Sequence, residues 1–437
     1  MSNPLAAPKY TQPPLRGPRR LLAAPGAGAD RVTLAGHLAE HGPVPYLGGP
    51  HLLAQVVDAA GLTGRGGACF PTGRKLRAVA AAAGPRIVVG NGAEGEPASA
   101  KDRLLLASAP HLVLDGLQLV AEAVGARQAY LCVPRIPALV ATVQAAVAER
   151  VAAGGDRIAV ELLTAPQRFL AGEESALVAW ISGAPAKPRF TPPRVFERGV
   201  RGRPTLVQNV ETLAHTAMVA RHGPAWFRAV GTPDEPGTML CTASGAVARP
   251  AVVEVAIGTP LGEVLAAAGG VVGPVSAILL GGYHGTWLAG GHAADLRLCN
   301  AELRHHGATL GCGVIVVLPD NVCGVVETAR VARYLAEQSA RQCGPCRNGL
   351  PLLADAFAEL AGPGPRRIGR ARIDQLTALV ERRGACHHPD GTVRFLRSAL
   401  WVFAAEIARH EHGDCVGWGG TGLLPAPRSP SGPDGWR

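Results

Sequence analysis

Lysine is nearly missing from this 437-residue chain: of its 43 basic residues only Lys9, Lys75, Lys101 and Lys187 are lysines. The arginine excess, with heavy use of Ala, Gly, Pro and Val, reads as the coding bias of a GC-rich genome, so arginine clusters carry little weight as a sign of nucleic-acid binding. Aromatic residues make up 4%, and no recognition helix or RNA-binding aromatic motif is present; no nucleic-acid partner is expected. Long apolar runs are lacking too. The longest stretch without Asp, Glu, Lys or Arg, Val264 to Ala294, is broken by Gly269-Gly270, Gly273-Pro274, Gly281-Gly282 and Gly290-Gly291, which excludes a single membrane-spanning helix. Met1 to Gly26 is rich in Pro and Arg, with no apolar centre like that of a signal peptide. A cytoplasmic protein is expected, touching membranes only through partners.

The composition that remains is that of a folded, multi-domain chain. Apolar residues make up 47% and charged residues 17%, which excludes a disordered or solvating polypeptide. Glycine (56) and proline (37) fill about a fifth of the chain without a G-X-Y period, which excludes collagen and leaves a loop-rich globular protein. The net charge of +10 favours anionic cofactors or an acidic electron-carrier protein.

Residues 1–60 read as an irregular segment with one helical run at His51–Ala60. Over residues 61–235, strand-like runs (Arg86–Gly90, Ala129–Val133, Ile158–Leu162) alternate with helical stretches (Leu105–Val124, Pro137–Ala153), which predicts an α/β domain with a largely parallel sheet. Residues 236–320 switch to short β-branched runs between glycines, such as Ala251–Val255 and Ala277–Leu280. Residues 321–412 carry four helical periodicities: Val325–Arg341, Leu350–Leu360, Ile373–Arg383 and Val393–His410. These suggest a small helical bundle. Residues 413–437 are expected to form a flexible tail.

Three polar segments stand out in the α/β domain. Gly64-Arg-Gly-Gly-Ala-Cys-Phe-Pro-Thr-Gly73 is dense enough in glycine for backbone N–H groups to approach an anion, ahead of a helix that could begin at Arg74. Taken alone it also fits a plain turn in a glycine-rich chain, and it is not the dinucleotide fingerprint. Asn91-Gly-Ala-Glu-Gly-Glu-Pro97 leaves a strand where α/β proteins gather ligand contacts, and Phe169-Leu-Ala-Gly-Glu-Glu-Ser-Ala-Leu177 repeats the pattern of apolar run, glycine and paired acids. Each also reads as an ordinary polar loop or a helix N-terminus. Lys75, Lys101 and Lys187 lie in or beside these segments, where a compact ammonium charge would be of use.

Among ten cysteines, Cys343-Gly-Pro-Cys346 with Cys386 carries the strongest chemical signal. Three readings fit: a thioredoxin-like dithiol, opposed by the helical run that precedes it; a Cys₃His zinc site completed by His387 or His388; and thiolate ligation of an iron–sulfur cluster. Spacing does not choose between zinc and iron–sulfur. The other cysteines are scattered and read mostly as small core residues.

Taken together and in order, these segments resemble the NADH-binding, FMN-containing subunits of respiratory complex I (the 51-kDa or F type) and their relatives in NAD-linked hydrogenases and formate dehydrogenases. Gly64–Lys75 resembles G-R-G-G-A-G-F-P-T-G-x-K; Asn91–Arg103 resembles N-A-D-E-G-E-P-G-x-x-K-D-R. Gly172–Ala176 is similar to G-E-E-T-A, Pro204–Leu213 to P-T-x-V-N-N-V-E-T, and Gly237–Gly282 to the ubiquitin-like β-grasp module of that family. The resemblance implies an α/β flavin/NAD-binding domain, then a β-grasp module, then a four-helix iron–sulfur bundle. It implies hydride transfer from NADH to FMN and single electrons onward to a [4Fe–4S] cluster and a protein partner, either ferredoxin-like or of the complex I E type. FMN would be held by Gly64, Arg65, Gly66, Gly67, Gly73, Asn91, Glu94, Gly172, Glu173 and Asn209. Phe70, Lys75 and the catalytic positions Glu96 and Glu174 would face NADH. Cys343, Cys346 and Cys386 would hold the cluster. A degenerate homologue that keeps the fold as a scaffold is the alternative.

The departures from the family pattern are specific. Ala340 stands where the cluster motif S-C-G-x-C-x-P-C-R-x-G has its first cysteine, which leaves a [4Fe–4S] cluster one protein ligand short or favours [3Fe–4S]. Cys69 replaces a loop glycine and Ala93 an aspartate. Thr191-Pro-Pro-Arg194 replaces K-P-P-F, and Ala78 replaces an aromatic after the glycine loop, so two rings and a lysine are gone from the nicotinamide side.

Overall fold

A computed structural model of the protein describes residues 20–22, 31–49, 51–362, 368–415, 417, 422–427 and 433–437. The first domain opens with α1 (Leu34–His41), α2 (Leu52–Ala60) and α3 (Thr72–Ala80). It continues as β1 (Ile87–Asn91), α4 (Lys101–Ser108), α5 (Pro110–Val124), β2 (Gln128–Pro134), α6 (Pro137–Ala153), β3 (Val160–Ala165), α7 (Glu174–Ile181), β4 (Thr205–Asn209) and α8 (Val210–Arg228). The strands form one parallel sheet in the order β3-β2-β1-β4. The chain winds outward from β1 to β3 and then returns to the other side of β1. This puts a topological switch point between β1 and β4, the place where open α/β sheets leave a crevice beyond the strands' carboxyl ends.

The strand residues Ile87, Val88, Val89, Leu131, Val133 and Leu206 are buried, and α5 is buried along almost its whole length. That burial accounts for the near-continuous apolar runs, since a parallel sheet is covered on both faces. The expected single helix Leu105–Val124 is instead two. Pro110 starts α5, and the chain turns by 97° between α4 and α5 because proline disfavours helix in the residue before it. Within the expected irregular segment, α1 is a further helix, capped by the Thr33 hydroxyl that accepts the Gly36 N–H. The rest of 1–60 lies partly outside the described residues.

The second module runs β5 (Thr238–Gly245), β6 (Ala251–Ala256), α9 (Leu261–Ala267), β7 (Val275–Leu280), β8 (Thr286–Ala289), α10 (Asn300–Leu303) and β9 (Val314–Pro319). Its mixed sheet has the order β6-β5-β9-β7-β8, with β5 and β9 parallel. The helical module follows: α11 (Gly324–Gln338), α12 (Leu350–Ala361), α13 (Arg370–Val380), α14 (His388–Val402) and α15 (Ala404–Glu411). The expected helix Val393–His410 breaks at Phe403, whose buried ring lies against Trp287 of β8. Two of the described residues of 413–437 are anchored on the protein. Leu424 and Trp436 are buried, the Leu424 N–H donates to Glu327, and the Ala186 N–H donates to the Trp436 carbonyl. Among the described residues no single helix is long and apolar enough to cross a membrane.

Candidate active site at the carboxyl edge of the parallel sheet

Asn91 closes β1 and Asn209 closes β4, and the two are register partners across the switch point. Asn209 is the N-cap of α8: its Oδ1 accepts the Glu211 N–H at 3.0 Å, and its Nδ2 donates to Asp102 at 2.7 Å. The Gly64–Gly67 turn lies over it, since a Cβ on Gly66 would touch Asn209 Cβ at 3.4 Å. The turn is pinned by Arg65, whose N–H donates to Thr212 and whose buried guanidinium donates to the Thr238 and Pro236 carbonyls and to Thr63. Arg65 therefore fastens the turn to β5 with the donors that a phosphate would otherwise have used. Gly73 is set back from the crevice: it is glycine because a Cβ there would collide with Asp58 of α2 at 2.0 Å.

Two close backbone contacts assemble the rest. A Cβ on Gly95 would sit 2.3 Å from the Phe169 carbonyl, and one on Gly172 would sit 2.3 Å from the Ala93 carbonyl. Asn91 Nδ2 donates to the Gly172 carbonyl at 2.9 Å. So the 91–97 exit and the 169–174 segment are laid backbone on backbone, which side chains at those two positions would forbid. Glu173 caps α7 by accepting the Ser175 and Ala176 N–H groups, and Glu174 in the first turn pairs with Lys75 of α3 at 2.8 Å. Phe70 is 48% exposed at the end of the glycine turn, with the Arg74 guanidinium 5.5 Å from its ring centre.

The two acids of the first exit differ. Glu94 turns inward: its carboxylate accepts the Asp102 N–H at the start of α4 and pairs with Arg103, and burial with the neighbouring Asp102 pushes its pKa up. Glu96 accepts the Tyr283 N–H at 2.8 Å and the Ala98 N–H at 3.2 Å, which ties the crevice to the second module. Burial pushes its carboxyl up to about 7 although both N–H groups oppose this. A carboxyl raised in the fold stabilises it most below the unfolded-chain value, and that stability is lost as pH climbs toward 7. Replacing Glu96 by Gln is therefore expected to flatten the pH dependence of unfolding free energy between about pH 5 and 7 by on the order of 2 kcal/mol. Denaturant melts across that range check it.

Sequence reasoning missed what lies beneath the turn. Lys101, 2% exposed, pairs with Asp102 at 2.7 Å and Glu211 at 2.8 Å and reaches Asn209 at 3.4 Å. Burial pulls its ammonium pKa down, but the two carboxylates more than offset this and hold it above its ordinary value. The oddity of a lysine in a chain of arginines was the signal. Gln208, one residue before Asn209, keeps a buried Nε2 with no hydrogen-bond partner among the described residues. An orphaned donor beside two amide-bearing strand ends and a glycine turn fits a polar, anionic cofactor such as FMN. Cys69 holds φ +50, the left-handed conformation for which glycine is suited, and its sulfur accepts from Asn300 at 3.5 Å. Cys69→Gly is expected to raise stability by about 1 kcal/mol, read as the shift in denaturant midpoint.

The helical module brings Cys343, Cys346 and Cys386 together. Burial pushes the Cys346 thiol up, with Cys343 and then Cys386 adding to the rise, and Cys343 likewise raises Cys386, so the three lie near one another. Burial pushes the Cys386 thiol up to about 11, against the His388 N–H, with Glu173 of α7 adding to the rise. This cysteine group is therefore a neighbour of the first site, and Phe169 N–H donates to Gln338 at the end of α11. Three soft thiols fit three corners of an iron–sulfur cluster. Ala340 adds no donor: it is buried against Leu170, Ala171, Ala186 and Trp436. The two histidines offered as a fourth zinc ligand do not serve. His387 is fully exposed and turned toward Asp390. Buried His388 donates from Nε2 to the Leu335 carbonyl and meets His284 through Nδ1, so both its nitrogens are taken.

Known proteins match this chain along most of its length. Residues 57–217 match the Nuo51 FMN-binding domain, 242–280 the SLBB domain, and 327–410 the NADH-ubiquinone oxidoreductase-F iron-sulfur binding region. The second F-type subunit of NADH-quinone oxidoreductase from Rhizobium meliloti is 30% identical over 83% of this chain and 89% of its own length. The F-type subunit of the Mycobacterium tuberculosis enzyme is 31% identical over 84% and 86%. The mitochondrial NADH dehydrogenase [ubiquinone] flavoprotein 1 of Dictyostelium discoideum is 32% identical over 74% and 70%. Among solved structures, the NAD+-reducing [NiFe]-hydrogenase in its air-oxidized state superposes with a TM-score of 0.79 at 31% identity, covering 89% of this chain and 68% of that one.

Proposed function

Since the chain belongs to the family of F-type NADH-quinone oxidoreductase subunits, we propose that it is the electron-input component of an FMN-dependent NADH dehydrogenase. FMN, when bound, takes hydride from NADH and releases electrons one at a time toward an iron–sulfur cluster. The observation that carries this reading is the pairing of Asn91 with Asn209 at the switch point, under the Gly64–Gly67 turn.

In this reading the Gly64–Gly67 turn, Asn91, Glu94, Gly172, Glu173 and Asn209 frame the flavin, joined by the Gln208 amide, and Arg65 holds the turn in place. Phe70, Lys75, Glu96 and Glu174 face the nicotinamide cofactor, with Lys75 and Glu174 paired to each other. Cys343, Cys346 and Cys386 hold the cluster. We read residues 61–235, 236–320 and 321–412 as three domains. The strand order β6-β5-β9-β7-β8 with α9 after β6 supports a β-grasp for the second, and the third is a helical iron–sulfur bundle. The acceptor is an acidic, ferredoxin-like or E-type protein suited to the +10 chain, and the setting is the cytoplasm.

A visible spectrum of anaerobically purified protein, before and after NADH, tests this. A flavin band over a broad sulfur-to-iron shoulder, bleached by NADH, is expected. A colourless protein, or a flavin that NADH leaves unchanged, would mean that the fold is kept as a scaffold without the reaction.

A further inference from the structure

Away from the crevice and the Cys343 group, the helical module gathers a second set of soft donors. Cys323 precedes α11, His410 lies in the last turn of α15, and Cys415 follows that helix. Their donor atoms all lie within 4.8 Å of one another, with Cys323 and His410 buried and Cys415 half-buried. His410 Nδ1 meets the Leu360 carbonyl at 2.8 Å. A carbonyl only accepts, so Nδ1 carries a proton, and the tautomer this selects presents Nε2, 3.3 Å from Cys323 Sγ, as the donor atom for a metal. Anchoring the far ring nitrogen on a carbonyl is how metal-binding histidines are oriented.

Burial and the nearby Glu406 carboxylate keep the metal-free Cys323 thiol protonated, so a bound cation has to displace that proton. Gly417 N–H points at Cys415 Sγ at 3.4 Å, a contact that favours the charged sulfur. The Glu406 carboxylate accepts the N–H of Gly324, the residue after Cys323. A thiol–imidazole hydrogen bond would account for Cys323 and His410 alone. It does not account for a second sulfur held in the same small volume by a segment outside any helix.

We propose that Cys323, His410 and Cys415 bind one zinc ion, separate from the Cys343–Cys346–Cys386 group. Two sulfurs and one imidazole at this spacing match tetrahedral zinc, whose ligand atoms stand about 3.5 Å apart. The Glu406 carboxylate or a water molecule fills the fourth position. Binding is not a redox step: the two thiols each release a proton to solvent, and the two thiolates balance the ion's double charge. The site fastens the chain beyond α15 to the start of α11, the helix that ends at the cluster segment. It goes beyond the electron-input reading and does not depend on it.

Metal analysis of the full-length protein, purified without air, tests the proposal against single substitutions. About one zinc per chain is expected in the unaltered protein and in Cys386→Ser, and its loss in Cys415→Ser, a position outside the helices whose replacement should leave circular dichroism unchanged. His410→Gln, which keeps both thiols, should lose the metal too. Cobalt(II) loaded in place of zinc should give the intense visible bands of a tetrahedral thiolate site, absent from Cys415→Ser. Zinc retained in folded Cys415→Ser overturns the proposal. So does zinc lost in Cys386→Ser but not in Cys415→Ser, or a Cys323–Cys415 disulfide in a chain that binds neither metal.

Discussion

Ala340→Cys is expected to raise the iron and acid-labile sulfide content of anaerobically purified protein, toward about four irons per chain. Cys343, Cys346 and Cys386 already converge, and Ala340 stands at the remaining family ligand position with a methyl group in place of a donor. Ala340 is buried in a small apolar cluster with Leu170, Ala171, Ala186 and Trp436. One added sulfur has to share that space with Trp436, whose ring is also faced by Arg168 at 4.7 Å and Lys187 at 5.4 Å. Iron and sulfide assays with low-temperature paramagnetic resonance read the result. Unchanged iron in a folded variant would show that the missing cysteine does not limit cluster assembly.

Lys101→Met should cost about 3–5 kcal/mol of stability, because it strands two buried carboxylates. Lys101 is the shared partner of Asp102 and Glu211, and Glu211 also accepts the Leu240 N–H from the second module. Burial pushes the Glu211 carboxyl upward, so without its ammonium it would hold a proton or draw in water. Lys75→Met makes the control. Its pair with Glu174 is partly solvated, and its loss should cost at most about 1 kcal/mol. Urea melts of the two variants side by side give the contrast, and equal costs would mean that water already reaches the buried cluster.

Much of this was legible beforehand because the information is local. The runs Arg86–Gly90 and Ala129–Val133 sit within a residue or so of β1 and β2, since buried parallel strands need unbroken apolar sequence. Asn91, Gly172 and Asn209 stood out as polar or flexible residues at strand exits or helix starts, and the fold brings all three together. What stayed hidden depends on distant contacts. The sequence near Gly73 says nothing of Asp58, and the sequence near Arg65 says nothing of the Thr238 and Pro236 carbonyls that accept from its guanidinium. Cys323 and Cys415 look like isolated core cysteines, because the long stretch between them gives no clue that α15 folds back beside α11. Composition of the Gly/Pro/Ser-rich terminus likewise gives no hint that Trp436 is buried.

Gly95 and Gly172 each leave room for a carbonyl oxygen where any other residue would carry a carbon. These two hydrogens set the spacing between the rim of the crevice and the segment that leads to the thiols. A lineage can exchange side chains around that rim without altering that spacing. It cannot exchange either glycine by a single step, because one methyl group would have to move a whole backbone segment. Inheritance here is uneven: recognition is free to drift, while the distance that couples the two halves of the protein is held by the smallest residues in it.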